Sequence, residues 1–269
     1  MSVVTVSRGT SPVILACPHV GTELPAAVAD RLDANGRLLA DTDWHIDRLY
    51  DGLLPNATTV CATFHRYVID ANRDPEGVSL YPGQNTTGLI PETDFDGVPI
   101  WAKGAGPTQD DTAERLAAFH APYHAALAAE IARVKAIHGV AVLYDCHSIR
   151  STIPFLFEGR LPDLNIGTAS GTSCAPAIEA AVARHAAAAE GYTSVLNGRF
   201  LGGWTTRHYG RPSDGVHAIQ MEIAQSAYLA TEAVPFAYDE AKAERLRAVL
   251  KTILTDIEAI ALTLKDQSA

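Results

Sequence analysis

Four short segments hold side chains that bind metals or move protons. Pro18-His19-Val20-Gly21-Thr22-Glu23-Leu24-Pro25 offers an imidazole, with Glu23 four residues later as a second ligand or a helix cap. Asp41-Thr42-Asp43-Trp44-His45-Ile46-Asp47 packs three carboxylates and an imidazole into seven residues. Asp43 is a good N-cap for a helix that follows, but capping accounts for one carboxylate and not the cluster. Tyr144-Asp145-Cys146-His147-Ser148 sets His147 at the end of an apolar run. Strand alternation puts His147 and Asp145 on one side and Cys146 on the other, so Cys146 reads as packing. Gln220-Met221-Glu222-Ile223 buries a glutamate in a strand pattern, which is costly without a partner. A general base beside a metal-held water meets that need, and a structural salt bridge is the alternative.

Arginines occur in Asp70-Ala71-Asn72-Arg73-Asp74-Pro75 and in Thr205-Thr206-Arg207-His208-Tyr209-Gly210-Arg211. The second run follows the Gly-rich stretch Gly198 to Gly203. Guanidinium forks grip carboxylates, so loop arginines near a metal site suggest an anionic substrate. Ordinary surface ion pairs are the plainer reading. His120 and His124 form an i, i+4 pair around Pro122, without the glutamate of H-E-x-x-H, and read as packing or supporting groups. His65, His138 and His185 have no supporting context. Neither G-x-x-x-x-G-K-[ST] nor G-x-S-x-G occurs, which disfavours phosphate-loop NTPases and serine α/β-hydrolases.

Strands and helices must position these groups. Residues 12–17, 58–63, 67–70, 140–145, 153–157, 193–196 and 216–223 read as strands. Residues 43–54, 111–137, 174–189 and 238–264 read as helices, with Pro122 kinking or splitting the second and a polar tail fraying after the last. Strands separated by helices point to a largely parallel or mixed sheet covered on both faces. His19 and His147 then sit past the carboxyl ends of strands, the edge where such sheets bind ligands. Residues 74–110, rich in Pro and Gly, form a long loop of the functional or mobile kind.

Composition narrows the function. The chain has 269 residues, 47% hydrophobic and 19% charged, as for a folded globular protein. Lysine plus arginine number 21 against 31 acidic residues, a net charge of −10. An acidic chain with no basic run lacks the footprint of a nucleic-acid binder and is repelled by anionic lipid. No secretory leader or apolar span of membrane length is apparent, and the four cysteines form no C-x-x-C pair. The expected compartment is the reducing cytoplasm.

The runs at 18–25, 41–45, 68–75, 143–148, 200–210 and 217–223 together resemble the N-formylglutamate amidohydrolase family. The resemblance implies an enzyme of histidine degradation that hydrolyses N-formyl-L-glutamate to formate and L-glutamate. It implies a fold similar to zinc-dependent exopeptidases (phosphorylase/hydrolase-like). That is a three-layer α/β/α sandwich around a mixed, mostly parallel sheet, with residues 1–269 as one domain. In those relatives a histidine after an early strand, a nearby acid and a histidine after a central strand hold zinc. By motif position His19 and His147 match the histidines. The relatives' H-x-x-E spacing falls on Thr22, so the third ligand stays open among Asp43, His45 and Glu23, in that order. Glu222 matches the late-strand general base. Arg73, Arg207 and Arg211, with Asn72, would hold the substrate carboxylates, while Arg150 and His208 would stabilise the oxyanion.

Zinc is the expected cofactor, although His/Asp ligands also suit iron, cobalt or manganese. Rival readings are an amidohydrolase for another N-acyl amino acid or small peptide, a non-catalytic binder of acidic metabolites, and a thiol hydrolase using Cys17 or Cys146.

Overall fold

The computed structural model describes residues 2–79 and 83–264. Seven strands form one sheet: β1 (Val4–Ser7), β2 (Val13–Cys17), β3 (Thr58–Ala62), β4 (Ala141–Ile149), β5 (Leu164–Gly167), β6 (Ser194–Leu196) and β7 (Val216–Ala224). Their order is β1-β3-β2-β4-β7-β5-β6. β3, β2, β4 and β7 run parallel, as do β5 and β6. β1 is antiparallel to β3, and β5 to β7. The helices are α1 (Ala26–Ala29), α2 (Ile46–Tyr50), α3 (Gln109–Arg115), α4 (Ala121–His138), α5 (Pro176–Ala187), α6 (Trp204–Tyr209) and α7 (Glu240–Leu264). The expected α/β architecture with a mixed, mostly parallel sheet is present.

Side-chain alternation divides the sheet into two faces. Val13, Leu15 and Cys17 of β2, Val142, Tyr144 and Cys146 of β4, and Ile219, Met221 and Ile223 of β7 share one face. They pack on Ile46 and Leu49 of α2, Ile178 and Val182 of α5, and Leu246, Leu250 and Ile253 of α7. Ile14, Ala16, Ala141, Leu143 and Ala218 occupy the opposite face, against Tyr123, Leu127 and Val134 of α4. Each fully buried Leu, Ile or Val contributes roughly 1.5–3 kcal/mol. On this second face the residues change character toward the carboxyl ends of the strands. Asp145 and His147 follow Leu143 in β4, and Gln220 and Glu222 follow Ala218 in β7. All four are buried.

Several local expectations need correction. Residues 67–70 form buried turns, because their backbone groups find partners outside the sheet: Asp70 N–H donates to Leu89 O, and Val68 O accepts from Arg115. Residues 153–157 turn back on Ile153 O. The helix expected over 43–54 shortens to α2, because His45 takes the left-handed conformation (φ 61°) and Asp43 is drawn inward. β1, β5 and α6 were not expected; β5 is only four residues long and contains Asn165. The helix over 111–137 divides, as Pro122 suggested, into α3, a wide π-turn at Leu116–His120 and α4. The polar tail at 265–269 and Pro82 of the long loop lie outside the described residues.

A capping box starts α3. Thr108 Oγ1 accepts from Asp111 N–H at 3.2 Å, and Asp111 Oδ2 accepts from Thr108 N–H at 2.7 Å. Arg31 grips both oxygens of Asp111, at 2.6 and 2.9 Å, and holds its pKa below the usual carboxylate range. Asp111→Ala should cost about 1–2 kcal/mol and lower Tm by a few degrees in thermal denaturation. The stability due to the ionised form is present above about pH 4 and is lost as the pH falls. The wild-type advantage over Asp111→Asn should therefore shrink in acid.

Candidate metal centre

Three parallel strands aim their carboxyl ends at one place. Pro18 ends β2 and His19 follows; His147 lies near the end of β4; Glu222 faces it across the β4–β7 register. Asp43 arrives on the loop before α2, tied by its own N–H to His19 O at 3.0 Å.

His19 Nε2 lies 2.6 Å from Asp70 Oδ1. A carboxylate only accepts, so Nε2 carries the proton and the Nδ1 lone pair is exposed to the interior. That Nδ1 is buried without a hydrogen-bond partner, 3.8 Å from Asp43 Oδ2. His147 is held from both sides: its Nδ1 hydrogen bonds Asp43 Oδ2, and its Nε2 pairs with Asn72 Nδ2. Its Nε2 is 3.1 Å from Asp145 Oδ2 and 3.1 Å from Asn72 Nδ2, and its Nδ1 is 3.1 Å from Asp43 Oδ2. The ring centroids are 5.0 Å apart. One donor atom from each of His19, Asp43 and His147 lies within 4.8 Å of the others, and all three residues are buried. Two imidazoles oriented by carboxylates, with one carboxylate between them, fit a divalent transition ion.

The electrostatics agree with that fit. Burial disfavours imidazolium at His19 and Arg66 repels it, so His19 stays neutral, as a ligand must. Burial opposes charge on His147 too, but Asp145 and Asp43 outweigh it and raise its pKa. The carboxylates thus demand positive charge at this spot. Burial works against ionised Asp43, yet Arg66 and His147 keep it below the ordinary range. Arg66 Nη2 donates to Asp43 Oδ1 at 2.5 Å, and Ser148 N–H to Oδ2 at 3.1 Å. Glu222 is pushed up to about 7, mainly by burial.

The centre opens into a cleft of about 600 Å³, mouth included. Arg66, Arg73, Arg199, Asn72, Gln220 and Glu222 reach its wall, and Phe95, Leu156 and Phe200 line an apolar side. Other sequence candidates stand elsewhere. His45 turns its Nε2 to Phe236 O at 3.0 Å, outside the His19–Asp43–His147 group. Glu23 is exposed. Arg150 pairs with Asp96 at 2.8 Å, and His208 stacks on Trp204 at 4.2 Å. Arg207 donates to Gly202 O beside a separate hollow, and Arg211 is exposed after α6, its backbone paired with Val216. None of these lines the cleft. Cys17 and Cys146 lie on the opposite face of the sheet from His147.

Sequence reasoning did not single out Asp70, Asp145, Arg66 or Arg199. Asp145 had a signal, being two residues before His147 and therefore on the same face. Asp70 stood at the head of the Asn72–Arg73 run. Arg66 had no local pattern. His120 and His124 act as supports: their Nε2 atoms approach Arg73 O at 3.1 Å and Ala71 O at 2.8 Å, bracing the turn that presents Asp70 and Asn72. Burial lowers the pKa of His124 to about 3, which keeps it neutral.

A family model described as N-formylglutamate amidohydrolase matches residues 11–229. The chain is 48% identical to an N-formylglutamate deformylase of Pseudomonas aeruginosa over 258 residues, 96% of each chain. It is 44% identical to one of Pseudomonas putida over 253 residues, 94% of each. The fold resembles the crystal structure of N-formylglutamate amidohydrolase from Ralstonia eutropha JMP134. That match has a TM-score of 0.75 and 26% identity, covering 100% of this chain and 98% of the other.

If Asp70 orients His19 for a metal, Asp70→Asn should weaken metal binding about 10- to 100-fold in chelator competition. Unchanged affinity would mean that His19 is oriented by something else.

Proposed function

Because the chain belongs to the N-formylglutamate amidohydrolase family, we propose that it hydrolyses N-formyl-L-glutamate to formate and L-glutamate at the His19–Asp43–His147 centre. The observation that supports this most is that His19, Asp43 and His147 each bring a donor atom within 4.8 Å of the others, at the cleft that His19, His147 and Glu222 line. We take the ion to be zinc, the pathway to be histidine degradation, and the compartment to be the cytoplasm. One sheet spans the described residues, which supports reading 1–269 as one domain. No helix among the described residues is long and apolar enough to cross a membrane.

A formamide is a poor electrophile and water at pH 7 a poor nucleophile. A divalent ion held by the two imidazoles and Asp43 supplies Lewis acidity and makes water acidic enough to react near neutral pH. Glu222 takes the proton from the attacking water and returns it to the leaving amine nitrogen. Its pKa near 7 suits both directions of transfer. The reaction then balances as formamide plus water to formate plus amine.

Arg66 projects into the cleft beside Asp43 and is buried, so it takes the oxyanion role first assigned to Arg150 and His208. Arg73 takes one substrate carboxylate, with Asn72 beside it. Its guanidinium is braced by Thr87 O and Oγ1, both at 3.0 Å. Arg199, from the loop after β6, takes the second carboxylate in place of Arg207 and Arg211. The apolar side of the cleft receives the methylene groups of the glutamate.

Formate release from N-formyl-L-glutamate, with N-acetyl-L-glutamate as control, tests the reading. Wild-type protein should release formate and leave the acetyl compound nearly untouched. Glu222→Gln should lower kcat by about 10²–10⁴-fold while keeping its metal. Full turnover in that variant would remove Glu222 from the mechanism. Chelation should abolish activity and a thiol reagent should not.

A further inference from the structure

The loop entering α6 crosses directly over the end of the sheet. A Cβ on Gly167 would lie 2.5 Å from Gly202 N and 2.8 Å from the Leu201 carbonyl carbon, so a bare glycine in β5 is what lets the two backbones stack. Gly203 meets the same constraint from the other side. A Cβ there would fall 2.3 Å from Asn72 Nδ2 and 2.5 Å from its Oδ1. This close packing sets the Gly203 N–H against β7, where it donates to Gln220 Oε1 at 2.7 Å.

That bond decides which way the Gln220 amide points. A backbone N–H can only donate, so the atom facing Gly203 is the oxygen, and Nε2 faces away from it. Nε2 donates to Glu222 Oε2 at 3.0 Å. Gln220 and Glu222 are two residues apart on β7, on one face, and are 3% and 7% exposed.

We propose that Gln220 is a positioning residue: anchored by Gly203 N–H, it aims the Glu222 carboxylate at the reacting water. The proposal rests on Glu222 being the general base. A glutamate side chain has several rotatable bonds, and a base works only within hydrogen-bond reach of the proton it removes. A neutral amide orients the carboxylate without adding charge beside His147 and Asp43. The competing role is purely structural, in which Gln220 serves only to satisfy the buried N–H of Gly203.

Two variants separate these roles. Gln220→Met keeps a weak sulfur acceptor for Gly203 N–H, adds no charge and removes the donor to Glu222. Gln220→Leu removes both. Each should lower kcat for N-formyl-L-glutamate by about 10- to 100-fold. KM and metal content should stay near wild type, and Gln220→Met should keep a Tm within a few degrees of wild type. In a Glu222→Gln background, Gln220→Leu should cost less than about twofold more, because no base remains to be aimed. Wild-type kcat in Gln220→Met would overturn the proposal and leave the structural role. An equal fold-loss from Gln220→Leu in both backgrounds would overturn it too. Wild-type turnover in Glu222→Gln alone would instead show that the base itself was misassigned, and the proposal would fall with it.

Discussion

Asp43 is 1% exposed, and a carboxylate that deep is tolerable only if its charge is answered on every side. Arg66, the Ser148 N–H and the His147 ring answer it here, each from a different part of the chain. Arg66 comes from the segment after β3, and His147 and Ser148 from the end of β4. The Asp43 backbone is tied to His19, just past β2. Satisfying one buried carboxylate therefore fixes the relative placement of three strands and two loops. The left-handed turn at His45 follows from the same demand, since it lets the chain leave Asp43 inward and still begin α2.

The sheet makes this placement affordable in stability. Apolar residues fill both faces along most of β2, β4 and β7, and Asp145, His147, Gln220 and Glu222 gather at the carboxyl ends of one face. Each imidazole has a carboxylate on its Nε2 side, Asp70 for His19 and Asp145 for His147. The Nδ1 atoms of both rings face Asp43 Oδ2, at 3.8 and 3.1 Å. The acidic whole-molecule charge of −10 works against capture of an anionic substrate. Arg66, Arg73 and Arg199 put guanidinium groups on the cleft wall, where the focused field of a cleft matters more than net charge.

Much of this was legible in the sequence, for definite physical reasons. His19, His147 and Glu222 follow apolar runs, and a period of two assigns their face. Asp43 stood out because one helix cap could not use three carboxylates. Other features were hidden because they depend on tertiary pairing. Tyr67-Val68-Ile69 has strand composition but is buried as turns, held by Leu89, His65 and Arg115. Arg66 acquires its role only when the segment after β3 meets Asp43. Arg207 and Arg211 misled because the Gly-rich run before them suggested an open loop. Arg207 lies in the short helix α6 and Arg211 beyond it, paired with Val216; neither lines the cleft, while Arg199 does.

The central claim is that His19 Nδ1, Asp43 Oδ2 and His147 Nδ1 hold one divalent ion. Anomalous diffraction at the zinc edge, on crystals of the zinc-loaded protein, tests it most directly. The account predicts a single strong peak per chain, about 2.0–2.2 Å from each of these three atoms. A peak bonded to either Nε2, or one lying away from Asp43, would contradict it.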